Sequence, residues 1–307
     1  MRNAVTFRWN RGAAFRVAPL FIAASLFGQT PDSSFQISVD LNLVVLPVTV
    51  RDRNGAFASG LTKENFEIYE DGVRQSVRLF RHEDIPVTAG IVVDHSGSMN
   101  AKMADVVAAA KEFAKSSNPQ DQMFVVNFNE RASLGLHSNI AFTHLSTLLS
   151  EAIEDAPVTG QTALYDALDL AIGRLPEGQP EKKVLVVFSD GGDNASKTTM
   201  ADVLQKAARS NAIVYTLGIF AKEDPDQNTR VLKRLAKESG GEAFFPGQYA
   251  DAAKICGGIA TDIRHQYTLG YISTNTKTGG QRNVKVVAHA TGKDLKVRTR
   301  AGYEATR

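Results

Sequence analysis

Four stretches of the chain are apolar almost without interruption: "VTAGIVVD" at 87–94, "QMFVVNF" at 122–128, "KKVLVVFSD" at 182–190 and "AIVYTLGIF" at 212–220. A strand with one wet face alternates apolar and polar residues, so a continuous run implies a strand covered on both faces. Between the runs the apolar period becomes helical, at roughly residues 101–116, 162–175, 199–210, 229–239 and 250–265. Doubly buried strands that alternate with helices specify an α/β fold, a doubly wound and mostly parallel sheet with helices on both faces. Two weaker segments, 131–136 and "GEAFF" at 241–245, add a short edge strand and a final strand.

The texture differs on either side of this region. "FQISVDLNLVVLPVTVRD", from residue 35, alternates with period two and changes phase near Val44 and Pro47, as a bulge or a passage between sheets would require. "FEIYEDGVRQSVRLF" reads as two strands around Asp71-Gly72, a pair that tolerates the positive φ of a tight hairpin turn. Period-two strands return after residue 265 in "QYTLGYIS", "NVKVVAHA" and "LKVRTR". Neither flank has strands enough for a stable sheet of its own. The expected organisation is therefore a discontinuous, sandwich-like β module formed by 34–84 and 266–303, with the α/β domain inserted at 85–265.

Residues 1–29 stand apart. They carry Arg2, Arg8, Arg11 and Arg16, no acid, and then "VAPLFIAASLFG", the pattern of an export signal. The apolar core from Val17 to Phe27 makes a helix of about 17 Å, short of the roughly 30 Å of a bilayer interior. Removal, and no transmembrane segment in the mature chain, is the expectation, with the protein secreted or held in the periplasm or cell envelope. Thirty-five bases less these four leave 31 against 33 acids, a net charge of about −2. That balance gives no support to nucleic-acid binding, which calls for a basic face with interleaved aromatics. The single cysteine, Cys256, has no internal disulfide partner and reads as a small buried residue on a helix.

The chemistry concentrates where the first apolar run ends, in Asp94-x-Ser96-x-Ser98. Ligands of open α/β sheets bind beyond the carboxyl ends of the strands, where the strand order reverses. "VLVVFSD" is the expected neighbour of the first strand there and ends at Asp190, while "TGQTALYDAL" brings Thr162 to the start of a helix. Asp94, Ser96, Ser98, Thr162 and Asp190 would then form a ring of hard oxygen donors suited to Mg²⁺, with Mn²⁺ or Ca²⁺ as alternatives. Two carboxylates balance the ion's charge, and the lack of His and Cys donors argues against zinc. Each residue alone also reads blandly: either serine, or Thr162, as a helix cap, and Asp94 as a charge at a helix N-terminus. Asp193 and Asn194 read as turn residues, and His95 as a rim residue that projects away from the ion.

These five residues resemble the metal-ion-dependent adhesion site of von Willebrand factor A-type domains, which reads Asp-x-Ser-x-Ser, then a distant Thr, then a distant Asp. "DHSGSM", "TALYDAL" and "FSDGGDN" carry the likeness over roughly 86–264, and "GLTKENFEIYEDG" and "VRTRAGY" are similar to exported bacterial proteins with a related domain. The resemblance implies that Ser96, Ser98 and Thr162 bind the ion directly and that Asp94 and Asp190 act largely through water. It also implies an open position for an Asp or Glu of a partner protein, and a shift of the last helix, 250–265, on engagement.

The function expected is a metal-dependent, extracytoplasmic protein-binding module rather than an enzyme. A hydrolase or phosphotransferase using the same ion needs a placed base or nucleophile. The chain has no Gly-x-Ser-x-Gly elbow and no Walker loop, and Ser96 stands where an Asp-x-Asp phosphatase loop needs its second acid. A scaffold with a structural metal is the third reading. Lys296, Arg298 and Arg300 alternate on the last strand and read as a solvated edge that discourages sheet aggregation.

Overall fold

The structure is a computed structural model that describes residues 43–82, 84–220, 227–292 and 294–305. The expected export signal and the start of the first flank strand lie outside these residues. Among the described residues no helix is long and apolar enough to cross a membrane.

The central sheet contains β5 (Val87–Asp94), β6 (Gln122–Phe128), β7 (Ala132–Leu134), β8 (Lys182–Ser189), β9 (Ile213–Gly218) and β10 (Ala243–Phe244), in the order β10-β9-β8-β5-β6-β7. All neighbours are parallel except β7, which runs antiparallel on the edge. β5 and β8 are paired from Val87↔Lys182 to Val93↔Phe188, so the strand order reverses between them. Helices α1 (Met103–Ser116), α2 (Ser146–Glu154) and α6 (Asp251–Arg264) pack one face around Ile91, Val93, Val125 and Tyr215. Helices α3 (Leu164–Arg174), α4 (Met200–Ser210) and α5 (Thr229–Ser239) cover the other, around Val92, Val126 and Val187. All eight β5 positions are buried, which accounts for its uninterrupted apolar sequence. Cys256 sits wholly buried on α6, where burial pushes its thiol well above the ordinary value.

The flanks interleave. β1 (Leu43–Arg51) pairs antiparallel with β11 (Tyr267–Ile272) and with β13 (Lys296–Arg298), and β11 continues to β4 (Val77–Arg81). A second sheet has the order β14-β12-β2-β3, from β14 (Gly302–Glu304), β12 (Gln281–Ala288), β2 (Phe66–Glu70) and β3 (Val73–Gln75). Each sheet thus mixes strands from both ends of the chain, and one apolar cluster, including Leu46, Val48, Ile68, Leu269 and Val286, joins them. The β2–β3 turn has Asp71 and Gly72 at φ 48° and 81°, as the sequence required.

Three expectations are corrected. No bulge interrupts β1: Val44, Leu46, Val48 and Val50 are buried on a single parity, and Pro47 lies in the stretch paired with β11 alone. An irregularity occurs instead at Gly270/Tyr271, where β11 meets β4. Helix α2 was not anticipated, because its short apolar set, Leu149, Ala152 and Ile153, is hidden among polar residues.

The third correction concerns two of the three basic residues read as a solvated edge: β13 is an edge strand and Lys296 is exposed, but Arg298 and Arg300 turn into the fold. Arg298 contacts Asp262 of α6 and donates to Thr49 Oγ1 (3.1 Å) and to the carbonyl of Gly240 (2.9 Å). Arg300 is buried and donates to Asn211 Oδ1 at 2.9 Å. Asp262 also meets Arg51 Nη2 at 3.1 Å and accepts from Tyr215 OH at 2.5 Å. These residues fasten α6 and β9 to both flanks.

Candidate metal centre

β5 delivers Asp94 to the carboxyl end of the sheet, and β8, in register beside it, delivers Ser189 and then Asp190. Asp94 is fully buried. Its Oδ1 accepts the Ser96 N–H at 2.8 Å and its Oδ2 accepts the Ser189 hydroxyl at 2.7 Å. Burial pushes its carboxyl up to about 6, the charge of Asp190 adds to the rise, and the bonds from Ser96 and Ser189 oppose it.

Ser96 occupies the N-cap position of a 3₁₀ turn, Gly97–Lys102, that leads into α1, yet its side chain caps nothing. Its Oγ lies 3.2 Å from Ser98 Oγ, and Ser98 Oγ donates to Asp190 Oδ2 at 2.6 Å. The capping reading of Ser96 is therefore not what the geometry shows. Asp190 is almost wholly buried, and its Oδ1 accepts the Gly192 N–H at 3.1 Å, whereas Ser98 is exposed at the mouth. Gly191 takes φ 85° with the Asn228 carbonyl against it, 2.6 Å from where a Cβ would stand, so only glycine fits.

Thr162 reaches the same place through main-chain bonds. Thr159 N–H donates to the His95 carbonyl (2.8 Å) and Gly97 N–H to the Gly160 carbonyl (3.3 Å), joining its loop to that of Ser96. On the other side Thr162 N–H donates to Asn194 Oδ1 at 2.8 Å, and its carbonyl accepts from Asn194 N–H at 2.9 Å. The N-cap of α3 is Ala163, so Thr162 precedes the cap. All five residues expected from the sequence thus lie on three mutually bonded loops at one end of the sheet.

Sequence reasoning missed Ser189 and gave Asp193 and Asn194 no role beyond that of turn residues. Ser189 orients Asp94, Asn194 braces Thr162, and Asp193 accepts from the Tyr165 N–H (2.9 Å) and the Ser196 hydroxyl (2.6 Å), fixing the start of α3. The "SDGGDN" run signalled them by its density of side-chain acceptors next to a strand end. His95 is a correction. It is buried rather than on the rim, with Nδ1 3.1 Å from the Val93 carbonyl and Nε2 2.9 Å from that of Ile153.

Among the described residues no basic side chain forms an ion pair with Asp94 or Asp190, and no three His, Cys, Asp or Glu side chains cluster as a metal set. What the loops offer is two carboxylates and three hydroxyls, the donor chemistry of a hard divalent cation. Adjacent ligands of an octahedron with bonds of about 2.0–2.1 Å lie roughly 2.9 Å apart. The oxygen separations of 2.6 Å and 3.2 Å along Asp190, Ser98 and Ser96 bracket that spacing, so these residues could hold such an ion with little movement.

The fold and this strand-end geometry belong to one class, α/β domains that present a loop-built site at the carboxyl edge of the sheet. Residues 90–255 match the von Willebrand factor type A domain family, and the chain belongs to it. No curated protein matches the chain significantly. Among solved structures it is similar to a von Willebrand factor type A protein from Catenulispora acidiphila, at 15% identity and a TM-score of 0.51, over 86% of this chain and 74% of that one. It is also similar to the von Willebrand factor domain of the type V pili tip protein Mfa5 from Porphyromonas gingivalis, at 14% identity and a TM-score of 0.48, over 59% of this chain and 95% of that one. An aerotolerance-related membrane protein from Bacteroides fragilis matches at 17% identity and a TM-score of 0.46, over 57% of this chain and 98% of that one. At such identities the likeness is one of fold.

Proposed function

We propose that Asp94, Ser96, Ser98, Thr162 and Asp190 hold a divalent cation, Mg²⁺ by donor hardness, and that through it the protein captures an Asp or Glu of a partner protein outside the cytoplasm. The carrying observation is that, among the described residues, two neighbouring buried carboxylates are bridged by hydroxyls and main-chain N–H groups and by no basic side chain. Such a pair is costly until a cation balances it. When bound, the ion supplies a Lewis-acidic point that a foreign carboxylate can complete. Ser189 and the Ser96 N–H hold Asp94 rigid, Asn194 fixes the Thr162 backbone, and exposed Ser98 leaves the approach open. Export rests on the sequence of residues 1–29.

A binding role is favoured over turnover by His95. The one imidazole inside the motif is turned to two main-chain carbonyls and so is not aimed at a reacting group. The test is Mn²⁺ binding followed by electron paramagnetic resonance, with Mg²⁺ as competitor. One ion per chain is expected, lost in Asp94→Ala and Ser96→Ala. Stoichiometric binding that survives both substitutions would refute the assignment.

A further inference from the structure

Helix α5 carries basic residues that neither the fold nor the candidate metal centre uses. Arg230, Lys233 and Lys237 are exposed and line a cavity of about 880 Å³ between α4, α5 and the β12–β14 pair. A second cavity of about 550 Å³ shares Lys233, Lys237 and Ala301 with the first and adds Lys285 from β12, so the two form one groove. The other charged side chains there are engaged within the fold, Arg300 being buried and donating to Asn211 Oδ1 at 2.9 Å. Arg234 pairs with Glu238 at 2.7 Å, Glu304 accepts from Gln205 at 2.6 Å, and Arg298 faces Asp262 and Glu242. Among the described residues Arg230, Lys237 and Lys285 have no ion-pair partner, and Lys233 meets only the ring of Phe245, 5.3 Å away.

We propose that this groove docks an acidic, extended segment of a partner protein, independently of any metal ion. Arg230 and Lys237 are seven helical steps apart, about 10.5 Å, and Lys233 and Lys237 about 6 Å. Side chains on one face of an extended chain recur about every 6.8 Å, so two acids at alternate positions can meet Lys233 and Lys237, with Lys285 of β12 lining the same cavity. Leu204 and Ala208 of α4 give the intervening side chains an apolar surface. A single-stranded nucleic acid would need stacking platforms, and neither cavity is lined by an aromatic ring. A sulfated glycan would use the cations and leave the apolar wall idle.

Fluorescence anisotropy of a labelled octapeptide of alternating Glu and Val, titrated with the full chain in EDTA at low salt, tests the assignment. Saturable binding is expected, weakened about tenfold in Lys233→Glu/Lys237→Glu and about threefold in Lys285→Glu. Lys115→Glu/Lys254→Glu makes the same change in net charge on exposed parts of α1 and α6 and should stay within about twofold of the parent. Equal losses in both pairs, or none in the groove variants, would overturn the proposal. Tighter binding of a heparin oligosaccharide through the same lysines would overturn it in favour of a glycan. Because EDTA is present throughout, failure here leaves the metal-centre test standing, and the converse also holds.

Discussion

Asp94 and Asp262 are both buried carboxylates, 0% and 2% exposed, and the chain treats them in opposite ways. Asp262, on α6, is met by Arg298 and Arg51 and by the hydroxyls of Tyr215 and Thr49. Asp94 has hydroxyl and N–H donors and feels the charge of another acid, Asp190. A buried charge needs compensation, and among the described residues only Asp262 of the two meets a cationic side chain. Asp262 is therefore a structural fastening satisfied within the protein, and Asp94 is half of the cation site proposed above. A third case lies between them. Asp121 is compensated by the N–H groups of Val87 and Asn118, at 2.8 Å and 3.0 Å.

The contrast can be broken most severely at Arg298. Arg298→Ala should lower the free energy of unfolding by about 3 kcal/mol in urea, the low end for removing one partner of a buried pair, because Arg51 still faces Asp262. Adding Asp262→Asn should recover part of that loss; an additive double variant would show that the two residues do not act together. Next in size is the response to metal. Mg²⁺ at a hundredfold excess over its dissociation constant should stabilise the parent and Arg298→Ala alike, by about 2.7 kcal/mol, and should leave Asp94→Ala unchanged. A stabilisation of Asp94→Ala by the same amount would place the ion elsewhere.

Asp121 sharpens the comparison through pH. Burial pushes its carboxyl from the ordinary 3.8 to about 6, with Asp84 adding to the rise and the two N–H bonds and Arg264 opposing it. Between those values the folded state binds more protons than the unfolded one, so this group's contribution favours folding below the unfolded value and is lost as pH rises through about 6. Thermal unfolding in EDTA should show Asp121→Asn losing about 1.5 kcal/mol less than the parent between pH 4 and 6.5, a figure reduced for screening around the exposed Asp84–Arg264 pair. Parallel curves would deny the shift. The smallest effect is expected at Asn194, whose side chain accepts from the N–H of Thr162, a residue of the proposed site, and only braces it. Asn194→Ala should weaken Mn²⁺ binding about fivefold, or about 1 kcal/mol, with thermal stability in EDTA little changed.

The comparison also shows what a sequence can reveal. Asp94, Ser96 and Ser98 were legible because three donors follow one another where an apolar run stops, and Asp190 because the strand order of an α/β sheet puts its strand next door. Thr162 needed the helix start that follows it. The fastening at Asp262 was not legible, since the alternation of Lys296, Arg298 and Arg300 is the same whether the strand faces water or a carboxylate 36 residues earlier in the chain. His95 was misplaced because nothing local announces that carbonyls from β5 and α2 would flank its ring. Its burial is a property of packing, which periodicity does not encode.

The interleaving of β1 with β11 and of β2 with β12 also has a mechanical consequence. The chain enters the inserted unit from β4 and leaves it into β11, neighbouring strands with Arg81 opposite Thr268, so tension between the two flanks is carried across the flank sheets and bypasses the unit in between. Under such a load the loops at the end of the central sheet would keep their shape until those flank sheets gave way.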